Sequence, residues 1–383
     1  MMKSEIRFGV IGCGLMGKEF ASAAARWCHL DEDLPRPVIT AVCDPNPAAA
    51  AWFKDNFPTV KLVTTDHRQL LASNQVDAVY CAVPHDLHAD VYIDVIEAGK
   101  HLLGEKPFGI DQDANKRIME AIRQHPGVLV RSSSEFPFAP AMQRLCDMID
   151  NKEFGRIIQV DAGFIHCSDL DPGKPINWKR IIARNGEYGC MGDLGLHVCH
   201  VPFRAGWVPR NVRAILSKIV RERPDGKGGT AACETWDNAT MFCEAIDPVS
   251  GELFPMTLRT QRIAPGETNT WYITILGTRN SARFSSKNIN ILEIMPYTPG
   301  GEQNWQTVDI GHRTAFKSIT GGIFEFGFSD SILQMWAAFV YELANGKPRK
   351  TFAGCVRPEE TELSHRLFTA ALESQRAGTC VQL

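Results

Sequence analysis

The first third of the chain alternates short apolar runs with longer stretches in which apolar residues recur every three or four positions. The short runs predict buried strands and the longer stretches predict amphipathic helices, and their alternation is typical of a parallel sheet built from βαβ units. Strands are predicted at 6–11, 38–43, 60–63, 78–83, 101–104 and 128–132, and helices at 16–27, 89–98 and 112–124.

After about residue 150 the pattern changes to strands separated by short turn sequences, with little helix between them. This change predicts a large, mostly antiparallel open sheet. Its strands are predicted at 156–165, 212–220, 239–246, 254–262, 271–276, 282–285, 289–294 and 305–309. Amphipathic helices at 330–344 and 358–377 close the chain, and they are expected to cover the sheet edge or to return to the first domain.

The two patterns predict two domains. We expect a parallel α/β domain over 1–133 and an α+β domain over 134–383. The length of 383 residues agrees with this division, because single hydrophobic cores stop growing at roughly 250–300 residues.

Charge and cysteine content narrow the expected partners and compartment. The formal net charge is −3, from 41 basic and 44 acidic residues that are intermixed, so neither nucleic acid nor a membrane surface is an expected partner. A small ligand of little or no charge is expected instead. The 12 cysteines lack CxxC pairs, the chain starts without a signal-peptide pattern, and no apolar run approaches the roughly 18 residues of a membrane span. These features predict reduced thiols and a cytoplasmic protein.

A glycine-rich hexapeptide lies where the first strand passes into the first helix. It reads Gly12-Cys13-Gly14-Leu15-Met16-Gly17, a GxGxxG motif in the structural context that dinucleotide binding requires. The glycines permit a tight turn and a close approach of a pyrophosphate, and the helix N-terminus supplies N–H donors. A glycine-rich turn without a ligand is the alternative, and it requires that the next strand end without an acidic residue.

The next strand does end in an acidic residue, Asp44. A carboxylate there accepts hydrogen bonds from both ribose hydroxyls of NAD and repels the 2′-phosphate of NADP, so NAD is the predicted cofactor. The separation from the glycines exceeds the usual spacing of roughly 20 residues, which we attribute to the loop at 30–37. An ordinary turn residue before Pro45 is the alternative.

The fifth predicted strand leads directly into Glu105-Lys106-Pro107. Ligands of open parallel sheets bind beyond the carboxyl ends of the strands, so Lys106 is placed to project towards a nicotinamide and its substrate. Pro107 biases Lys106 towards an extended conformation, and a cis peptide bond would aim the side chain. A solvated turn is the alternative for this tripeptide.

A second candidate group lies at 189–197, where a glycine-rich turn leads into a helix that is predicted to end near His200, before Pro202. Asp193 and His197 stand four residues apart and therefore share a helix face. An imidazole suits proton exchange with a substrate hydroxyl near neutral pH. The alternative is a helix-capping aspartate and a core histidine.

No metal site is predicted. His197, Cys199 and His200 form one candidate cluster and His85 and His88 another, but neither supplies two complete ligand pairs at zinc spacing. Positions 199 and 200 also lie on different faces of a helix.

Taken together, these motifs resemble a known family. The glycine loop, Asp44, Val83-Pro84 followed by His88, Glu105-Lys106-Pro107 and the pattern GxxxDxGxH at 189–197 are similar to the glucose-fructose oxidoreductase, inositol dehydrogenase and MocA family of NAD(P)-dependent oxidoreductases. The resemblance extends over nearly the whole chain, since the segment at 275–278 and the closing helices also resemble that family's second domain.

The resemblance implies a Rossmann domain joined to an α+β domain that binds substrate and whose open sheet commonly mediates homodimers or homotetramers. It implies a dehydrogenase that transfers hydride between a nicotinamide and a carbinol carbon of a sugar, inositol or related polyol. Lys106, Asp193 and His197 would form the catalytic group. His197, assisted by Lys106, would take the hydroxyl proton, while Asp193 binds a neighbouring hydroxyl and orients His197.

The resemblance also implies a set of ligand contacts. The implied cofactor contacts are Gly12, Cys13, Gly14, Leu15, Met16, Gly17, Asp44, Pro84, His88, Glu105 and Lys106. The implied substrate contacts are Lys106, His166, Trp178, Asp193 and His197, with Asp169 as a further pocket candidate. Trp178 would stack on a sugar ring, or else be a partly buried core residue. Many relatives carry an arginine after the sixth strand, where this chain has Ser-Glu-Phe-Pro-Phe-Ala-Pro at 134–140.

Two other functions of the same fold stay open. One is a glycoside-cleaving enzyme that retains NAD and works by transient oxidation. The other is a sensor or repressor that binds NAD without chemistry. Loss of the lysine or of the Asp-His pair would favour the sensor, and this chain keeps all three residues.

Overall fold

The computed structural model of the chain describes residues 4–311, 313–321 and 324–383. The chain forms two compact units. The first takes in the chain up to Gly109, Asp113–Phe138 and Thr314–Pro358, and the second takes in Ile110–Gln112, Ala139–Arg313 and Glu359–Leu383.

The strands and helices occur in the following order. The strands are β1 (Glu5–Ile11), β2 (Arg36–Cys43), β3 (Leu62–Thr64), β4 (Ala78–Cys81), β5 (His101–Gly104), β6 (Val130–Ser132), β7 (Ile157–Ile165), β8 (Val208–Pro209), β9 (Asn211–Ser217), β10 (Glu222–Pro224), β11 (Thr230–Ala232), β12 (Asn238–Ile246), β13 (Leu253–Gln261), β14 (Thr270–Gly277), β15 (Asn280–Ser285), β16 (Ile291–Pro296), β17 (Gln306–Asp309) and β18 (Val381–Gln382). The helices are α1 (Leu15–Ala25), α2 (Pro47–Asn56), α3 (His67–Leu71), α4 (His88–Glu97), α5 (Gln112–Gln124), α6 (Pro140–Asp150), α7 (Ile182–Asn185), α8 (Cys190–Arg204), α9 (Phe328–Asn345) and α10 (Pro358–Ala377).

The predicted elements are present, and β5, α5 and α10 have the predicted bounds. The prediction for α8 is wrong at its end, because the helix continues through Pro202 to Arg204 instead of ending near His200. A proline ring holds φ near the helical value, and every residue of α8 is buried, so packing outweighs the hydrogen bond that Pro202 cannot donate.

The first unit is built on six parallel strands in the order β3-β2-β1-β4-β5-β6. This is the Rossmann arrangement, in which the direction of strand succession reverses between β1 and β4. Dinucleotides bind beyond the carboxyl ends of the strands at that point. The sheet therefore places the glycine loop after β1 and the loop after β4 side by side.

Helix α9 packs against helix α1 and completes the core of the first unit. The fully buried ring of Trp336 lies 4.9 Å from that of Phe8, measured between ring centroids. Truncating a buried tryptophan costs about 3–5 kcal/mol, so this contact is a strong reason for the late segment to join the first unit. The sequence places a boundary after residue 133, whereas the first unit continues to Phe138 and includes 314–358 as well.

The second unit is built on a ten-stranded sheet in the order β17-β16-β15-β14-β7-β13-β12-β9-β18, with β8 paired to β12. All its pairs are antiparallel except β7 with β13. The two sheets together confirm the predicted fold class. Within the described residues, no helix is both long and apolar enough to cross a membrane.

The parallel pair positions the residues that follow it. Ile165 at the end of β7 is opposite Gln261 at the end of β13. His166 and Arg262 therefore leave the sheet at the same edge, and the backbone N–H of His166 donates to the carbonyl of Gln261 at 2.9 Å. An antiparallel pair would have sent these two residues to opposite edges.

Candidate active site

The three glycines of the loop after β1 have three different surroundings. Gly12 has φ +95°, and a Cβ there would lie 2.4 Å from the carbonyl oxygen of Ala82. A Cβ at Gly17 would lie 2.2 Å from the carbonyl oxygen of Gly12, whereas a Cβ at Gly14 would meet nothing within 4 Å. The first and third glycines thus allow the tight turn and the helix packing, and the second leaves an open backbone surface. This division suits a pyrophosphate at the start of α1.

Asp44 is fixed beside this loop at the end of β2. Its Oδ2 accepts the backbone N–H of Cys13 at 2.7 Å, and its Oδ1 accepts that of Asn46 at 2.8 Å. The second bond is the turn contact that the alternative interpretation expects, and the first ties the carboxylate to the glycine loop. Asp44 is therefore a turn residue that is tied to the glycine loop, and its contact with a ribose stays a prediction.

His88 lies below the protein surface, beneath the loop after β4. Its Nδ1 accepts the backbone N–H of Gly109 at 3.4 Å, so its Nε2 carries the hydrogen and donates to the carbonyl of Val83 at 3.1 Å. The ring also stacks on Tyr92 with a centroid distance of 4.8 Å. In this structure His88 supports the loop that contains Pro84, and direct contact with the cofactor stays a prediction.

Glu105 is buried and anchored. Its carboxylate accepts the hydroxyl of Tyr80 at 2.7 Å, and its backbone carbonyl accepts the hydroxyl of Tyr92 at 2.8 Å. The next residue, Lys106, is half-buried and is joined to Pro107 by a cis peptide bond. The two tyrosines thus fix the backbone from which Lys106 projects.

Glu135 follows β6, next to the end of β5, and is not predicted as a site residue from the sequence. The backbone N–H of Ser133 donates to the carbonyl of Gly104 at 3.0 Å, which brings the two strand ends together. The pKa of Glu135 is raised to about 7, mainly by burial, with the Glu105 carboxylate adding to the shift and the Lys106 ammonium opposing it. Glu135 lies in the 134–140 segment, where many relatives carry an arginine. Its role as a site candidate becomes visible only from its position beside the end of β5, which is distant in the sequence.

Helix α8 starts at a turn that requires glycine. Gly189 has φ +58°, and a Cβ there would lie 2.6 Å from the backbone nitrogen of Trp236. On the opposite side of α8 from Asp193 and His197, a Cβ at Gly195 would lie 2.4 Å from the ring of Phe368 on α10. The glycines of GxxxDxGxH therefore allow the helix to pack closely against its neighbours, and Asp193 and His197 lie on its other face.

Asp193 forms a buried ion-pair group. The Nζ atom of Lys179 lies 3.0 Å from both of its carboxylate oxygens, and Arg262 donates from Nε to Oδ2 at 3.2 Å, with its Nη2 atom 3.0 Å from the same oxygen. The Asp193 side chain is only 2% exposed. Neither cation is identified as its partner from the sequence, because one is 14 and the other 69 residues away.

His197 lies one helical turn after Asp193. Its ring packs edge-on against Phe164 of β7, with centroids 5.6 Å apart, and its backbone carbonyl accepts the indole N–H of Trp271 at 3.0 Å. These contacts hold the helix against the sheet and the imidazole in an aromatic setting. The role of His197 as a base stays a prediction.

A cavity of about 290 Å³ opens in the second unit at the carboxyl ends of β7 and β13. It is lined by His166, Ser168, Asp169, Lys174, Asn177, Trp178, Lys179, Asp193 and Arg262. The structure thus brings together four residues that the sequence indicates as pocket candidates, namely His166, Asp169, Trp178 and Asp193. Lys106 belongs to the first unit, and its action on the same substrate is part of the proposal below.

His166 presents a neutral imidazole to this cavity. Burial lowers its pKa to about 4, with Asp193 opposing the shift and Arg262 adding to it. Its Nδ1 accepts the backbone N–H of Ser168 at 3.3 Å, so Nε2 carries the hydrogen.

Across the described ranges, no group of three or more His, Cys, Asp or Glu side chains is arranged to hold a metal ion.

Residues 6–132 match the GFO/IDH/MocA family, described as an oxidoreductase family with an NAD-binding Rossmann fold. The chain is 26% identical to levoglucosan dehydrogenase of Pseudarthrobacter phenanthrenivorans over 299 residues, 76% of each chain. It is 30% identical to dTDP-3,4-didehydro-2,6-dideoxy-alpha-D-glucose 3-reductase of Actinomadura kijaniata over 240 residues, 61% of this chain and 66% of that one.

A solved structure of levoglucosan dehydrogenase in complex with NADH and L-sorbose has a TM-score of 0.87 to this chain, with 99% of both chains covered and 22% identity. At that identity the likeness concerns the fold, which agrees with the two sheets described above. The family match concerns the domain that carries the glycine loop, Asp44 and Lys106. The family predicted from the sequence is thereby confirmed for the first domain: residues 6–132 are an NAD-binding Rossmann domain of the GFO/IDH/MocA oxidoreductase family.

Proposed function

We propose that this chain is an NAD-dependent oxidoreductase that transfers hydride between the nicotinamide and a carbinol carbon of a sugar, inositol or related polyol. The observation that supports this most is the cavity in which His166, Trp178 and Asp193 meet, one helical turn from His197. An aromatic face with hydrogen-bond donors and acceptors around it suits a hydroxyl-rich ring. The two curated relatives named above act, by their names, on sugars or sugar derivatives.

Asp193 binds and orients the substrate in this proposal. Its carboxylate is held between Lys179 and Arg262, and two cations favour the charged form strongly. A carboxylate in that setting accepts a hydrogen bond from a substrate hydroxyl and does not exchange its own proton. The groups left to exchange the hydroxyl proton are His197 and Lys106, with the hydride passing to or from the bound nicotinamide.

NAD is the proposed cofactor in preference to NADP. Asp44 is fixed by two backbone N–H groups beside the open backbone of Gly14. A carboxylate in this place accepts ribose hydroxyls and repels a 2′-phosphate.

A homodimer or homotetramer is the proposed assembly. The second-unit sheet exposes several large apolar side chains, among them Ile158, Ile215, Phe242 and Leu253. Ile215 of β9 and Phe242 of β12 are near neighbours, because Thr240 is opposite Ile215 and Phe242 is opposite Arg213. Contiguous exposed apolar patches are typical of subunit interfaces.

The proposed function is tested with a panel of sugars, inositols and polyols, incubated with NAD while NADH absorbance and product chemistry are followed together. We expect NADH to accumulate with at least one compound while its carbinol becomes a carbonyl. Bond cleavage without net NADH would instead support the NAD-retaining glycoside-cleaving alternative. NAD binding with neither change would support a sensor.

A further inference from the structure

Cationic side chains outnumber carboxylates around the cavity of the second unit. Each of its two carboxylates is paired with two cations. Asp193 pairs with Lys179 and Arg262, and Asp169 pairs with Lys174 at 3.3 Å and with Arg180. The carboxylates are buried, whereas the side chains of Lys174 and Lys179 are 42% and 39% exposed. The groups that a ligand meets first are therefore ammonium groups.

The layer behind the cavity adds to this excess of positive charge. Arg180 also pairs with the buried Asp237, whose Oδ2 in turn accepts the backbone N–H groups of Ile219 and Val220. The buried Arg223 donates to backbone carbonyls, including that of Asp169 at 2.5 Å.

The described charged network, in which only the two lysines are partly exposed, therefore has five cationic and three anionic side chains. The cations are Lys174, Lys179, Arg180, Arg223 and Arg262, and the anions are Asp169, Asp193 and Asp237. Two further acids near this region, Asp171 and Glu234, are exposed to solvent, which screens their charge.

We infer that this cavity takes a single sugar ring that carries an anionic group, with that group lying against Lys174 and Lys179. The inference rests on the proposed function, because it takes the cavity to be the substrate site. A volume of about 290 Å³ is at the lower end of ligand cavities, which span roughly 300–1,000 Å³, and it suits one ring and not a nucleotide-linked sugar.

The hydrogen-bonding groups of the cavity agree with this ligand. Ammonium groups donate and cannot accept, and His166 offers an Nε2–H donor. The Lys179 ammonium also lies 5.9 Å from the centre of the Trp178 ring, so an aromatic face and a cation are presented together. A ring that is stacked on Trp178 would place an acceptor-rich substituent next to Lys179.

The cations also explain why the carboxylates of the cavity do not repel such a ligand. Burial by itself would raise the pKa of Asp169, but Arg180, Arg262 and Lys174 outweigh it and hold the pKa below its usual value. Each carboxylate is thus already matched by its cations. The ammonium groups of Lys174 and Lys179 stay partly exposed at the cavity, and the anionic group of a ligand would lie against them.

The test compares dissociation constants of matched compounds by calorimetry, with NADH bound to the full chain. The neutral members are D-glucose and D-galactose, and the anionic members are D-glucuronate, D-galacturonate and D-glucose 6-phosphate. We expect an anionic member to bind at least about tenfold more tightly than its neutral partner, with a difference that shrinks as salt rises. Preference for the uronates would assign the group as a carboxylate, and preference for the ester as a phosphate.

Two variants locate the anion. Lys174→Gln should abolish most of the preference, and Lys116→Gln, an exposed lysine on α5, should retain it. Equal affinity for neutral and anionic members, or an unchanged preference in Lys174→Gln, would overturn the inference. If neutral compounds still reduce NAD in that case, the proposed function survives. If no compound of either kind binds or reduces NAD, both fail.

Discussion

The Nζ atom of Lys179 lies 3.0 Å from both carboxylate oxygens of Asp193, and the guanidinium of Arg262 holds the same carboxylate from a second direction. Of the three, Asp193 and Arg262 are almost fully buried and Lys179 reaches the cavity mouth. This group links the end of β13, the segment before α7 and the first turn of α8. It therefore organises both the cavity and the helix that carries His197.

Removing the shared carboxylate should destabilise the protein. In Asp193→Asn the buried Arg262 would lose its charged partner, and breaking a buried ion pair from one side costs about 3–5 kcal/mol. Urea unfolding should show this loss, while Asp113→Asn, at an exposed site on α5, should change the free energy of unfolding by less than about 0.5 kcal/mol. Equal stability of the two variants would show that the ion-pair group around Asp193 contributes little to the free energy of unfolding.

Glu135 should make the protein less stable at alkaline pH. Its folded-state pKa of about 7 lies above the ordinary value of 4.5, so the unfolded chain loses the proton first as pH rises. The cost grows from pH 4.5 to 7 and then levels off at about 3 kcal/mol. Glu135→Gln should therefore be more stable than the parent at pH 8 and equal to it below pH 4.5. Parallel stability curves across this range, measured by urea unfolding, would contradict the assignment.

The sequence predicts the fold well where patterns are local. Strand β5 and helix α5 have the predicted bounds because the apolar pattern of each is contained in a few residues. Helix α5 is also followed by the helix-stopping pair Pro126-Gly127. The continuation of α8 past Pro202 depends on burial from all sides, which no local pattern reports.

The candidate site is predicted less completely for the same reason. His166, Trp178 and Asp193 are identified from motifs and resemblance, and they do line one cavity. Arg262 reaches Asp193 only because β7 and β13 pair in parallel. Glu135 becomes notable only when β6 lies beside β5. The contact of Arg262 and the position of Glu135 both depend on strands that pair although they are distant in the sequence.

Asp44 should set the choice between NAD and NADP. Asp44→Asn keeps an acceptor for the backbone N–H of Cys13 but removes the negative charge. Hydrogen bonds to charged groups contribute about 1.5–3 kcal/mol, so the ratio of NADP to NAD dissociation constants should fall by about tenfold or more. Fluorescence titration with both reduced cofactors measures this ratio. An unchanged ratio would mean that Asp44 serves the turn alone.

The exposed face of the second sheet should mediate self-association. Replacing both Ile215 and Phe242 with glutamate would place charges on a buried apolar interface, so the assembly should dissociate. Light scattering coupled to size-exclusion chromatography should report a lower mass. Val249→Glu, at an equally exposed apolar position in the β12–β13 turn, serves as the control and should leave the mass unchanged. A double variant with the mass of the parent would place the interface elsewhere.

Lys106 should take part in hydride transfer between NAD and a sugar or polyol. The most direct measurement is the rate of NADH formation by Lys106→Ala with the best compound of the panel, together with its NAD dissociation constant. We expect a rate lower by about two to four orders of magnitude, with NAD affinity largely retained. Turnover at the parent rate would contradict it.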